Sequence, residues 1–258
     1  AQEIKLSIDI NAVGYGAAQS KDELGYAKNV IAIGTAVASV IIILISATMI
    51  SEEIQSGSIK ALIISPVKRS KIFAAKLMAI VTVCLLMIAL IALTFTAINI
   101  IFGFGSSPIV YTAFGRAHSI AYYPYMFARI AIAFIDIFVY ASMALMFSAI
   151  TRNSAVSICI TMFDYLAVSN IVKIICCNTD TITGNLVALF MPKVNMELAE
   201  RLFRQMLPQS ESGSLLELLT GGSDCAYGPL WFSIVYLAVL TFCFLYIAFD
   251  SFCRRDIK

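Results

Sequence analysis

Residues 29–51 contain no charged side chain, and neither do residues 77–115 or 225–249. A helix needs about 20 consecutive apolar residues to cross the ~30 Å hydrocarbon core of a bilayer. Runs of this length leave a chain few folds other than membrane-spanning ones. Composition agrees: 60% of the residues are hydrophobic, 13% are charged, and mean hydropathy is +0.89. Soluble domains carry about a quarter charged residues, so this chain has too little charge to coat a soluble surface. That excludes a soluble enzyme, a nucleic-acid binder and a disordered chain.

The runs predict an all-α integral membrane protein: one transmembrane domain with spans over 29–50, 72–102, 127–150, 154–173 and 229–250. Gly103, Gly105, Ser106, Ser107 and Pro108 end the second span, while Asp136 and Asp164 interrupt the third and fourth. A closed barrel would also satisfy its backbone in lipid, but these continuous runs lack the alternation of barrel strands.

Basic residues set the orientation. Lys60, Lys68, Arg69, Lys71 and Lys76 lie between the first two spans, Arg152 in the next inner turn, and Arg254, Arg255 and Lys258 in the tail. These segments (51–71, the turn at 152 and 251–258) should face the cytoplasm of a multi-pass cell-membrane protein. Residues 1–28, the loop 103–126 and the segment 174–228 should lie outside, with residue 1 extracellular. Five spans with an inner C-terminus require the N-terminus to be delivered across the membrane. Either a further helix precedes residue 1 or a signal sequence has been cleaved.

The loop SEEIQSGSIKALIISPVKRSKIFAAK (51–76) reads as a short amphipathic helix, a stop and a second helix start. Ile59, Leu62 and Ile63 share a face, Ser56 or Ser58 can cap it, and Pro66 ends it. A helix this short is unstable alone and must dock on something, either lipid headgroups or a partner. The order of its residues resembles the signature of the type-2 permease family of ATP-binding-cassette transporters. That signature runs Glu, three residues, Gly-Thr, an apolar and a basic or polar residue, a Leu-rich pair, Pro-Val-x-Arg, Ile and Lys. The matching residues are Glu53, Gly57, Ser58 in place of Thr, Ile59, Lys60, Leu62, Ile63, Pro66, Val67, Arg69, Ile72 and Lys76.

The resemblance implies six helices, of which helices two to six are visible, with the loop acting as a coupling helix seated on a separate ATPase subunit. It implies a second permease copy or paralogue and two such ATPases, which hold ATP and magnesium. This chain should bind no cofactor, because no G-x-x-x-x-G-K-[ST] occurs. The coupling set would be Glu52, Glu53, Gly57, Ser58, Ile59, Lys60, Leu62, Ile63, Pro66 and Arg69. Glu53 and Lys60 would contact the partner, Ile59, Leu62 and Ile63 would be buried in docking, and Gly57 and Pro66 would give shape. For Glu52 and Glu53 the plainer alternative is a solvated helix start favoured by the dipole.

Ionisable groups inside a span are functional candidates. Asp136 and Asp164 fall at similar depth in the outer half of the membrane. They could face each other, line a substrate route or share a proton; alternatively each bonds to a neighbouring helix and fixes packing. Arg129 is expected to snorkel outward. Outside, residues 195–207 read as an amphipathic helix capped by Asn195, with a second piece over 214–219. Tyr111, Tyr122, Tyr123, Tyr125 and Trp231 suggest an aromatic belt, and EIKLSIDI (3–10) a possible strand. Cys84, Cys159 and Cys243 read as inert packing groups, and Cys176 or Cys177 could pair with Cys225. The seven Cys have no metal-ligand spacing, and His118 lies in an outer loop.

The expected function is the permease subunit of an ATP-driven exporter, not itself an enzyme, moving an amphipathic peptide or another hydrophobic compound outward. Lipid, drug or ion transport are alternatives, as is a non-transporting receptor or scaffold whose inner loop binds a regulator.

Overall fold

Six prolines punctuate the chain, and none lies beyond the first turn of a described helix. Proline lacks the N–H and fits only where that donor is not needed. The computed structural model describes residues 2–55, 69–102, 109–113, 116–178, 187, 189–196, 198, 204–205 and 230–254. Helix α1 (Gln2–Gln55) is followed by α2 (Arg69–Phe102), strands β1 (Ile109–Ala113) and β2 (Arg116–Ile120), and α3 (Tyr122–Thr151). Helix α4 (Ser154–Phe163) runs through a π-helical turn (Asp164–Val168) into α5 (Ser169–Asn178). The chain continues with α6 (Pro192–Met196), β3 (Arg204–Gln205) and α7 (Leu230–Arg254).

Five helical stretches are long and apolar enough to cross a membrane: Gly25–Glu53, Arg69–Phe102, Tyr122–Thr151, Ser154–Val172 and Trp231–Cys253. The chain is a helical membrane protein with the five expected spans. The span of α3 is the most buried, and α3 packs against α1, α2, α4 and α7. Its inward face carries Tyr125, Met126, Ile130, Ala133, Ile137, Ala141 and Leu145, all buried. Small buried residues on it, among them Ala133, Ala141, Ser142, Ala144 and Ser148, let neighbouring backbones approach, as membrane helix packing favours. Gly34 does the same for α1: a Cβ there would stand 3.3 Å from Ile91 Cγ1 of α2. Leu85, Leu93 and Ile100 on α2, and Trp231, Phe242 and Tyr246 on α7, project outward, as side chains facing lipid should.

Several expectations are corrected. Residues 3–10 are part of α1, not a strand; alternation over eight residues is too short to outweigh the helix continuing from the span. The 1–28 segment is helical from Gln2 onward. The outer loop holds an antiparallel sheet ordered β2-β1-β3, with Ile109 opposite Ile120 and Tyr111 opposite both His118 and Gln205. His118 is therefore in a strand. Of the amphipathic helix proposed for 195–207, Asn195 and Met196 end the short α6 and Arg204 and Gln205 instead form β3, completing the sheet; most of the remainder lies outside the described residues. The expected helix over 214–219 and the 58–66 amphipathic helix lie outside the described residues. So does the proposed disulfide, whose Cys225 is not described.

Candidate functional site

The ends of four spans are tied together beside the 51–71 loop. The Ser51 N–H donates to Ser148 Oγ of α3 at 3.1 Å, and Gln55 Nε2 donates to the Arg152 carbonyl at 3.3 Å. Lys76 Nζ of α2 meets Glu53 Oε1 of α1 at 2.7 Å and donates to the Met49 carbonyl, also at 2.7 Å. Arg69 Nη1 donates to the Cys253 carbonyl of α7 at 3.3 Å, and Ser251 Oγ to the Ala149 carbonyl of α3 at 3.1 Å. Phe73 closes the layer with its ring centroid 5.5 Å from that of Phe249 and 6.0 Å from that of Phe252. The turn between α3 and α4 is held by Arg152 in the left-handed region (φ 54°), whose N–H returns to Ser148 O, and by Asn153, which caps α4 through the Ala155 N–H. This places Glu53, Arg69, Lys76 and Arg152 at one end of the bundle. Of the predicted coupling set, Glu52 is exposed, while Glu53 and Arg69 are built into the ties. Gly57, Ser58, Ile59, Lys60, Leu62, Ile63 and Pro66 lie outside the described residues.

Deeper in the bundle, Asp136 and Asp164 join one polar layer. At about 1.5 Å per residue, Asp136 is about 22 Å from the Thr151 end of α3 and Asp164 about 15 Å from the Ser154 end of α4, so the two are offset by about 7 Å instead of lying at the similar depth expected. A π-helical turn is rare and recurs at functional sites. Here it aligns residues five apart: Ser169 returns its N–H to the Asp164 carbonyl and its hydroxyl to Asp164 Oδ2 at 3.1 Å. Asn170 Nδ2 likewise reaches the Tyr165 carbonyl at 3.2 Å. Tyr140, one turn after Asp136, meets Tyr165 edge to face with centroids 4.9 Å apart. Asp136, Asp164 and Ser169 all lie within electrostatic reach of the Tyr140 hydroxyl. Lys193 of α6 stands over the Tyr165 ring, 5.5 Å from its centroid, and within reach of Asp164. Ser39 of α1 lies beside the Tyr165 hydroxyl.

Sequence reasoning singled out the two aspartates because charge is costly in lipid. It missed Tyr140, Tyr165, Ser169 and Lys193. The i, i+4 spacing of Asp136 and Tyr140 was a readable signal; nothing local announces that Lys193 folds back over Tyr165. Arg129 does not snorkel outward: it is 7% exposed and donates to the Tyr125 hydroxyl at 3.2 Å. Tyr125, one turn earlier, also offers its ring face at 5.7 Å. Tyr122 and Tyr125 are buried and serve packing instead of a belt, whereas Tyr123 and Trp231 are exposed. The Tyr122 hydroxyl donates to Asn99 Oδ1 at 2.8 Å. Asn195 is no cap; buried, it accepts from Ser233 Oγ at 2.6 Å and donates to the Leu189 and Met191 carbonyls. Cys84 is buried, but Cys159 and Cys243 face outward.

A family model described as "Protein of unknown function (DUF2705)" matches residues 11–258. The chain belongs to the DUF2705 family. No curated protein and no solved structure matches. Membership of DUF2705 overturns the resemblance to the type-2 permeases. That resemblance rested on twelve positions of one loop and on the order of spans around it, with Ser58 already departing from the pattern. Apolar residues, a Gly and a Pro recur readily where any short helix docks and stops between two spans. The DUF2705 match, in contrast, runs through every described span.

Proposed function

We propose that this DUF2705 protein is the membrane-embedded subunit of a transport assembly, worked by a separate ATP-hydrolysing subunit that docks on the 51–71 loop. The reading rests chiefly on one observation: both ends of that loop are fastened to the bundle. Glu53 and Lys76 tie α1 to α2, Ser51 and Ser148 tie α1 to α3, and Arg69 ties α2 to α7. A push on the loop would therefore reach four helices. The loop and the tail carry basic residues suited to the cytoplasmic face, where nucleotide is available. In this arrangement ATP and magnesium belong to the partner, the loop supplies Glu52, Lys60 and its apolar face for docking, and the cargo is an amphipathic or hydrophobic compound moved outward. A second copy of the chain, or a paralogue, would complete the route.

Isolation of the full chain from its native membrane, under conditions that preserve complexes, tests this reading. Magnesium-dependent ATP hydrolysis should co-purify, and Lys60→Glu should remove it while leaving the membrane protein folded. A chain that never retains an ATPase would instead favour a receptor or scaffold whose loop binds a regulator.

A further inference from the structure

The loop ties leave the interior layer without a role, and that layer borders an apolar groove. The groove has a volume of about 600 Å3 and is lined by Cys159, Ile160, Met162, Phe163, Leu166 and Ala167. Phe163 and Leu166 are exposed, whereas Met162 packs with Tyr165 against the buried cluster containing Val139, Tyr140 and Leu237. The π-helical turn is thus a seam, with an open apolar surface on one flank and the charged layer on the other. On the charged side an ammonium is already in residence: Lys193 Nζ rests over the Tyr165 ring and within reach of Asp164. Aromatic faces and carboxylates attract cations, more strongly where water is excluded. Tyr140 adds an oxygen. It is 3% exposed, and Ser169, Asp164 and Asp136 lie within electrostatic reach of its hydroxyl.

We propose that this seam is a recognition site for amphipathic primary amines. The cargo's ammonium takes the place of Lys193 at Asp164 and the Tyr165 face, its N–H reaches Tyr140, and its apolar tail lies along Phe163 and Leu166. Lys193 is half-buried on a five-residue helix, so it can swing aside with little rearrangement of the spans. The exchange swaps one positive charge for another and keeps a cation beside Asp164. The inference deepens the transport reading and rests on it for the word cargo, but binding itself needs neither ATP nor a partner.

The test is a fluorescence titration of the full chain in phosphatidylcholine nanodiscs. The probe is dansylcadaverine, an amphipathic primary amine; uncharged dansylamide is the control. Dansylcadaverine should saturate, with dansylamide at least about tenfold weaker, as the loss of one charge-assisted contact implies. Asp164→Asn should weaken amine binding by about tenfold or more, and Lys193→Gln should tighten it severalfold by removing the internal competitor. Lys193→Gln alters a half-exposed residue and remains informative if Asp164→Asn does not fold. An amine affinity that Lys193→Gln leaves unchanged or weakens, or equal affinities for the two probes, would overturn the proposal. Saturable amine binding without ATP-driven transport would keep the site and remove the transport reading. Transport with no amine binding would do the reverse.

Discussion

Lys76 and Lys193 are both ammonium groups held within the bundle, yet they are held in different ways. Lys76 is fully engaged at the loop end, 2.7 Å from the Glu53 carboxylate and 2.7 Å from the Met49 carbonyl, with its side chain 9% exposed. Lys193 sits on a short helix, over a ring face at 5.5 Å and in the field of Asp164. Short, directional bonds between long helices make a joint that transmits motion. A cation lying over a ring face on a five-residue helix is, on our reading, the one that can be exchanged. The same residue type thus serves as a fastening in one region and, on our reading, as a placeholder in the other.

The difference can be broken from the fastened side. Lys76→Ala removes the ammonium 2.7 Å from Glu53, whose side chain is 34% exposed. Losing one member of a buried pair costs 3–5 kcal/mol, so the partial exposure of Glu53 argues for about 3 kcal/mol. This should appear as the largest fall in thermal unfolding temperature in detergent, with Glu53→Gln milder because its carbonyl still accepts from Lys76. Asn195→Ala should cost about 1.5 kcal/mol by the same readout, since it removes the bond from Ser233 and those to the Leu189 and Met191 carbonyls; interhelical hydrogen bonds in membranes reach about that value. Lys193→Gln should shift stability by less than about 1 kcal/mol, as cation–π contacts at partly exposed sites contribute. A loss as large as that of Lys76→Ala would erase the distinction between fastening and placeholder. Ser148→Ala should cost least, about 0.6 kcal/mol, the average for such bonds.

The sequence made the fastened region partly legible and the exchangeable one hardly at all. The spans were readable because their apolar runs exceed the bilayer, and the clustering of Lys76, Arg69 and Arg152 at one end followed from their order along the chain. Helix starts were less legible: residues 122–126 include Tyr122, Tyr123, Pro124 and Tyr125, which read as an interface, yet α3 begins at Tyr122. The β1–β2 pair left a signal that was passed over. Ile109, Val110, Tyr111 and Thr112 favour strand, and only Phe114 and Gly115 separate the two strands, a hairpin spacing. The π-helical turn has no local signature, since Asp164–Val168 could continue as α-helix. Asp164 could be picked out as a charge in lipid, but its companions Tyr140 and Lys193 come from other helices. Their meeting is a property of packing.

The central claim is that nucleotide-driven work enters through the fastened loop. Inverted vesicles of the native membrane, loaded externally with dansylcadaverine, test it most directly. Amine should accumulate inside only with magnesium and ATP, and Lys60→Glu should abolish that accumulation while the vesicles retain the full chain. Uptake that proceeds equally without ATP, or that Lys60→Glu leaves intact, would contradict the account.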